Sequence, residues 1–209
     1  MYPSSVTDCV KIERLGCSAF GFFCYIECMR NIKIVGTLHG GVTSKEELKE
    51  ILKDSNHDQI LVELSNKEVR NIPESNSIRD EMIYIYQWAK NAGIKIGNFD
   101  VEVNVLEDGI NGKENDFIQL NNKFDEALKS ISWKELNKEK YWIGSDIAIL
   151  DKKIRDRYLS KKRCEEREDK MLASINRQMI ESGTILIFMG IGHLSYFEKS
   201  LPSATFLLR

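Results

Sequence analysis

From residue 32 onward, short apolar runs alternate with longer segments in which apolar positions recur every three or four residues. The apolar runs Ile32–Val35, Gln59–Leu64, Ile94–Gly97, Thr184–Met189 and Ala204–Leu208 have the length and flanks of buried strands. The periodic segments read as helices. Thr43-Ser44-Lys45-Glu46 forms a capping box that opens a helix to about Asp54, with Leu48, Ile51 and Leu52 inward. A second helix is expected from about Ser77 to Asn91, with Met82, Ile85, Tyr86 and Ala89 on one face and Gly93 as its C-cap. A third covers Asp116 to Lys129, a long helical stretch broken once runs from about Ser145 to Ser182, and a short helix follows His193. Strands alternating with helices predict an α/β fold: a single domain with a mostly parallel central sheet flanked by helices, its active-site cleft at the carboxyl ends of the strands.

The first part of the chain departs from this pattern. Gly16–Cys28 is apolar and aromatic, with Phe20, Phe22 and Phe23, but is too short to span a bilayer as a helix. The expected organisation is an atypical arm over residues 1–30, with folded sequence from about Met29, and one α/β domain over residues 31–209. A membrane anchor is the competing reading of the arm; no stable membrane insertion is expected. With 30 basic and 32 acidic residues the net charge is −2, and the run Lys161-Lys162-Arg163 is answered at once by Glu165, Glu166, Glu168 and Asp169. No nucleic-acid footprint is visible. Five cysteines, four of them before residue 29 and none spaced as C-x-x-C, fit neither a common zinc module nor a secreted disulfide framework. A reducing, cytoplasmic location is expected.

Chemistry concentrates at the strand ends. The chain has three histidines, and two close matching tetrapeptides after apolar strands: Gly36-Thr37-Leu38-His39 and Gly190-Ile191-Gly192-His193. If the two strands are neighbours, both imidazoles face one site. Two imidazoles on one cleft are the nucleus of a metal site or an acid–base pair. Glu63 ends another apolar strand at the same level, as a candidate metal ligand or general base, and Asp100 ends a third. On the late helix Cys164, Met171, Leu172, Ile175 and Met179 share one face, with Glu168 inside that stripe and Arg167 at its edge. Charged groups on an inward stripe need partners, so these two serve either a cleft or a structural Arg–Glu pair. His57, in the polar turn Ser55–Asp58, reads as a surface histidine. Asp108-Gly109-Ile110-Asn111 resembles a calcium loop in composition only.

The order Gly36–His39, Val62-Glu63-Leu64, Glu166–Ala173, Gly190–His193 resembles the TraB/PrgY family, which includes the TIKI proteins. That family is similar in pattern to erythromycin esterases and to the haem-binding ChaN proteins. The resemblance spans about Ile32 to Leu208. It implies a metal-dependent hydrolase acting on a peptide, with a divalent metal (manganese or cobalt, zinc as an alternative) held by His39, Glu63 and His193. The family's strand-end glutamate and helical arginine carry over to Glu63 and Arg167; the helical stripe adds Glu168 to them as the expected catalytic group, with Gly36, Gly190 and Asp100 expected around the substrate. Where the family has Asn or Asp after the helical arginine, this chain has Glu168. Two other readings compete: a metal-free esterase-like hydrolase in which a histidine is the general base, and a protein that binds a peptide or small ligand such as haem without turnover. The expected partner is a peptide or small-molecule substrate. The sequence does not set the oligomeric state.

Overall fold

A computed structural model describes residues 30–39, 43–53, 56–72, 80–106, 113–129, 132 and 146–207. The N-terminal arm, the four early cysteines and the calcium-loop-like segment lie outside the described residues. The strands are β1 (Arg30–Thr37), β2 (Gln59–Val62), β3 (Lys95–Asn98), β4 (Gly183–Gly190) and β5 (Thr205–Phe206). They form one sheet in the order β3-β2-β4-β1-β5, and every pairing is parallel. Helices α1 (Lys45–Lys53), α2 (Asn66–Arg70), α3 (Asp80–Asn91), α4 (Glu114–Lys129), α5 (Asp146–Tyr158), α6 (Lys161–Gln178) and α7 (Leu194–Ser200) flank it.

Both faces of the central strands β1, β2 and β4 are covered, which is why these strands read as near-continuous apolar runs. Successive side chains point to opposite faces. Val35, Ile60, Val62, Leu186 and Phe188 pack with Leu48 and Leu52 of α1 and Met82, Ile85 and Ala89 of α3. Ile34, Leu61, Ile185, Ile187 and Met189 pack with Met171 and Ile175 of α6 and Phe197 of α7. The α/β expectation holds, with a fully parallel sheet. No helix of the described residues is long and apolar enough to cross a membrane.

Several local details differ from the sequence reading. The helix cap at α1 is Ser44 rather than Thr43: Glu47 N–H donates to Ser44 Oγ at 3.2 Å, and Ser44 Oγ donates to the Glu47 carboxylate at 3.1 Å. Thr43 instead ties down the preceding turn, its Oγ1 accepting from Leu38 N–H at 2.8 Å. The late helical stretch breaks at Leu159-Ser160, between α5 and α6. Helix α2 has no counterpart in the sequence reading; at five residues it is too short to carry a periodic signal. Gly93 ends α3 with φ +71°, as expected of a glycine C-cap. His57 corrects an expectation: it is buried, at 8% exposure, although its neighbours in sequence are polar.

Candidate active site

Strands β1 and β4 are direct neighbours, with Gly36 opposite Met189 and Thr37 opposite Gly190. The two matching tetrapeptides therefore leave the sheet side by side, and His39 and His193 rise from adjacent strand ends. β2 lies on the other side of β4, and Glu63 N–H donates to Phe188 O at 3.0 Å, continuing the ladder past the end of β2. Three of the four side chains singled out at strand ends, His39, His193 and Glu63, thus meet beyond β1, β4 and β2.

Glu63 is the centre. It is 1% exposed. Its Oε2 accepts the Gly190 N–H at 2.6 Å, and its Oε1 accepts from Arg167 Nη2 at 3.1 Å. His193 Nε2 lies 3.6 Å from the same Oε1. Arg167 reaches the site from α6 and is aimed by Asp100, whose Oδ1 accepts from Nε at 3.0 Å and from Nη2 at 2.8 Å. Its Nη1 lies 3.3 Å from His193 Nε2. Asp100 thus binds the arginine and stands at the edge of the site.

Each histidine is backed by a buried glutamate. His193 Nδ1 pairs with Glu168 Oε1 at 3.0 Å, and His39 Nδ1 with Glu81 Oε1 at 2.5 Å. A carboxylate at Nδ1 fixes the ring and leaves Nε2 as the working nitrogen. On His193 burial disfavours charge, but the Glu63 carboxylate and the Glu168 hydrogen bond outweigh it and hold the pKa at about 9. His193 is therefore cationic at neutral pH, its Nδ1–H donating to Glu168.

Gly190 explains how close these groups come. A Cβ placed there would sit 3.1 Å from His39 Nε2 and 3.3 Å from Glu63 Oε2. The two atoms are therefore no further apart than the sum of those distances. The Gly190 backbone has φ −59°, open to any residue, so only the close approach of these two side chains opposes a larger residue there. Gly36 is buried inside β1, opposite Met189 and three residues before His39. Gly192 O accepts from Arg155 Nη2 at 3.3 Å, which ties the His193 turn to α5.

Of the residues expected at the site, the structure brings His39, Glu63, Arg167, Glu168 and His193 together with Asp100 and Gly190, while Gly36 lies within β1 opposite Met189. The pairing differs from a simple Arg–Glu lock on the helix. Arg167 binds Glu63 and Asp100, and Glu168 binds His193. Glu81 was missed. Its signal was present, because Glu81, Ile85 and Ala89 are spaced i, i+4, i+8 on the buried side of α3, the same clue that singled out Glu168.

The implied metal can be tested against this donor set. His39 Nε2 and Glu63 Oε2 converge beside Gly190 and supply two ligands. The third, His193 Nε2, faces the guanidinium of Arg167, so an ion shared by Glu63 and His193 would lie against a fixed cation. With Arg167 in this position, the set His39, Glu63 and His193 does not close around one ion. Comparisons with protein-family models, curated proteins and solved structures return no match.

Proposed function

We propose that the chain is a hydrolase that cleaves an acyl bond, with a peptide as the expected substrate, and that it works by acid–base chemistry without a resident metal. The observation that carries the reading is the placement of Arg167 between Glu63 and His193. That guanidinium fills the space a shared ion would take and supplies fixed positive charge in its place.

His39 is the general base. Glu81 holds its Nδ1, and Nε2 takes a proton from water as the water oxygen attacks the substrate carbonyl carbon. The developing oxyanion is met by Arg167 and the cationic His193, fixed in advance by Asp100 and Glu168. The tetrahedral species collapses with cleavage of the bond to nitrogen or oxygen, and His39 returns its proton to the leaving atom. Glu63, with both oxygens engaged, anchors Arg167 and the Gly190 N–H and does not act as the base.

One observation favours a second reading. The convergence of His39 Nε2 and Glu63 Oε2 beside Gly190 offers two ligands for a divalent ion, provided Arg167 moves. Turnover of a mixed peptide and activated-ester panel, before and after EDTA, separates the two. Cleavage that survives the chelator supports the acid–base centre. Cleavage abolished by EDTA and restored by manganese or cobalt overturns it in favour of the metal reading.

A further inference from the structure

An open cleft of about 560 Å³ lies beside the centre, past the carboxyl ends of β2 and β3. One wall is α2 and its end, with Asn66, Lys67, Arg70 and Asn71; the facing segment brings Asp100 and Glu102. Asp100 belongs to both places, since it lines the cleft and also holds Arg167. A molecule in the cleft is therefore one side chain away from the proposed oxyanion site.

Short as it is, α2 is firmly placed. Ser65 and Glu68 form a complete capping box: Glu68 N–H donates to Ser65 Oγ at 3.2 Å, and Ser65 N–H donates to Glu68 Oε2 at 2.7 Å. Val69 and Ile72 pack onto the core. With the Val69 side anchored inward, Lys67 and Arg70, three residues apart, share the opposite, exposed side. Among the described residues neither pairs with a carboxylate. Of the acids opposite, Asp100 already faces Arg167, which leaves Glu102 alone against two cations. Asn66 Oδ1 accepts from Asn98 Nδ2 at 3.0 Å, so its amide group still has its own N–H donors to offer. A guanidinium and an ammonium side by side, flanked by amide donors, suit a carboxylate or a phosphate.

We propose that this cleft is an anion subsite of the same centre, in which Lys67 and Arg70 hold a carboxylate or phosphate group carried by the substrate. The inference rests on the hydrolase reading for the word substrate, but its test reads binding and not turnover. The full chain is titrated calorimetrically at low salt with tri-alanine as the free acid, with its C-terminal amide, and with inorganic phosphate. The titrations are repeated on Lys67→Ala/Arg70→Ala and on His39→Ala.

The free acid, the phosphate or both bind, and the amide does not. Loss of two charge-assisted contacts weakens binding by about tenfold or more in the double variant, and added salt has the same effect. His39→Ala binds as the wild type does, so a failure of the hydrolase reading leaves this result standing. Binding of the acid alone points to a peptide end, and binding of phosphate alone to a phosphorylated substrate. Equal binding of acid and amide, unchanged affinity in the double variant, or no binding of either anion overturns the proposal. Both replaced side chains are exposed, and an unchanged melting temperature in the double variant shows that a loss of binding is local.

Discussion

Replacing Arg167 with methionine removes one cation from between two buried carboxylates while keeping most of the side-chain volume. The Glu63 side chain is 1% exposed and the Asp100 side chain 6%, so water cannot take over the role of the guanidinium. Among the described residues Glu63 keeps the Gly190 N–H and a longer approach from His193 at 3.6 Å. Breaking a buried ion pair from one side costs ~3–5 kcal/mol. Because Arg167 itself is 15% exposed and His193⁺ remains near, the lower end applies, about 3 kcal/mol. The assay is urea unfolding at neutral pH of the wild type, Arg167→Met, Glu63→Gln and the double variant. Once Arg167 is gone, Glu63→Gln no longer breaks the Arg167–Glu63 pair, so the cycle is non-additive by about 1 kcal/mol or more. A loss below about 1 kcal/mol in Arg167→Met, or a cycle additive to within about 0.5 kcal/mol, would refute the pairing.

Three further outcomes follow from the same geometry. Gly190→Ala keeps its backbone conformation but pushes a methyl against His39 Nε2 and Glu63 Oε2; overpacking of this kind costs ~1–3 kcal/mol, and turnover falls far more than the melting temperature. With its folded pKa raised from 6.5 to about 9, His193 contributes stability that is complete below pH 6.5 and lost as pH rises towards 9. Denaturation between pH 6 and 10 reads up to ~3 kcal/mol of that loss, which His193→Gln abolishes. His57 has the opposite sign: burial lowers its pKa, so below pH 6.5 the unfolded chain takes up a proton that the folded chain resists, and stability falls with acidification. His57→Leu flattens that acid limb, and an unchanged acid limb would contradict the burial argument.

The sheet was legible because its three central strands, β1, β2 and β4, are largely buried and therefore write apolar runs between turn residues. The site was legible for a related reason. His39, Glu63 and His193 stand at abrupt ends of apolar strands, and a parallel sheet brings all such ends to one edge. Arg167 and Glu168 were visible as charges on an inward helical stripe, but their partners were not, because pairing depends on strand order and not on spacing. The adjacency of β1 and β4, separated by nearly the whole chain, is a fact of topology. Glu81 was hidden by the eye's preference for the apolar residues Met82, Ile85 and Ala89 around it, although it shares their stripe. His57 misled because its polar neighbours in sequence say nothing of the burial that the fold imposes on it. The cleft along Lys67 and Arg70 was not legible, because α2, which sets them there, is too short to announce itself.

The central claim is that His39, held by Glu81 and aimed past Gly190 towards Glu63, is the base of a hydrolytic centre. The most direct test is to incubate the wild type and His39→Ala with a defined peptide mixture in EDTA and follow new termini by mass spectrometry. The account predicts cleavage by the wild type at reproducible bonds and none by His39→Ala, with both proteins equally resistant to urea. Equal cleavage by the two proteins, or none by either, would contradict it.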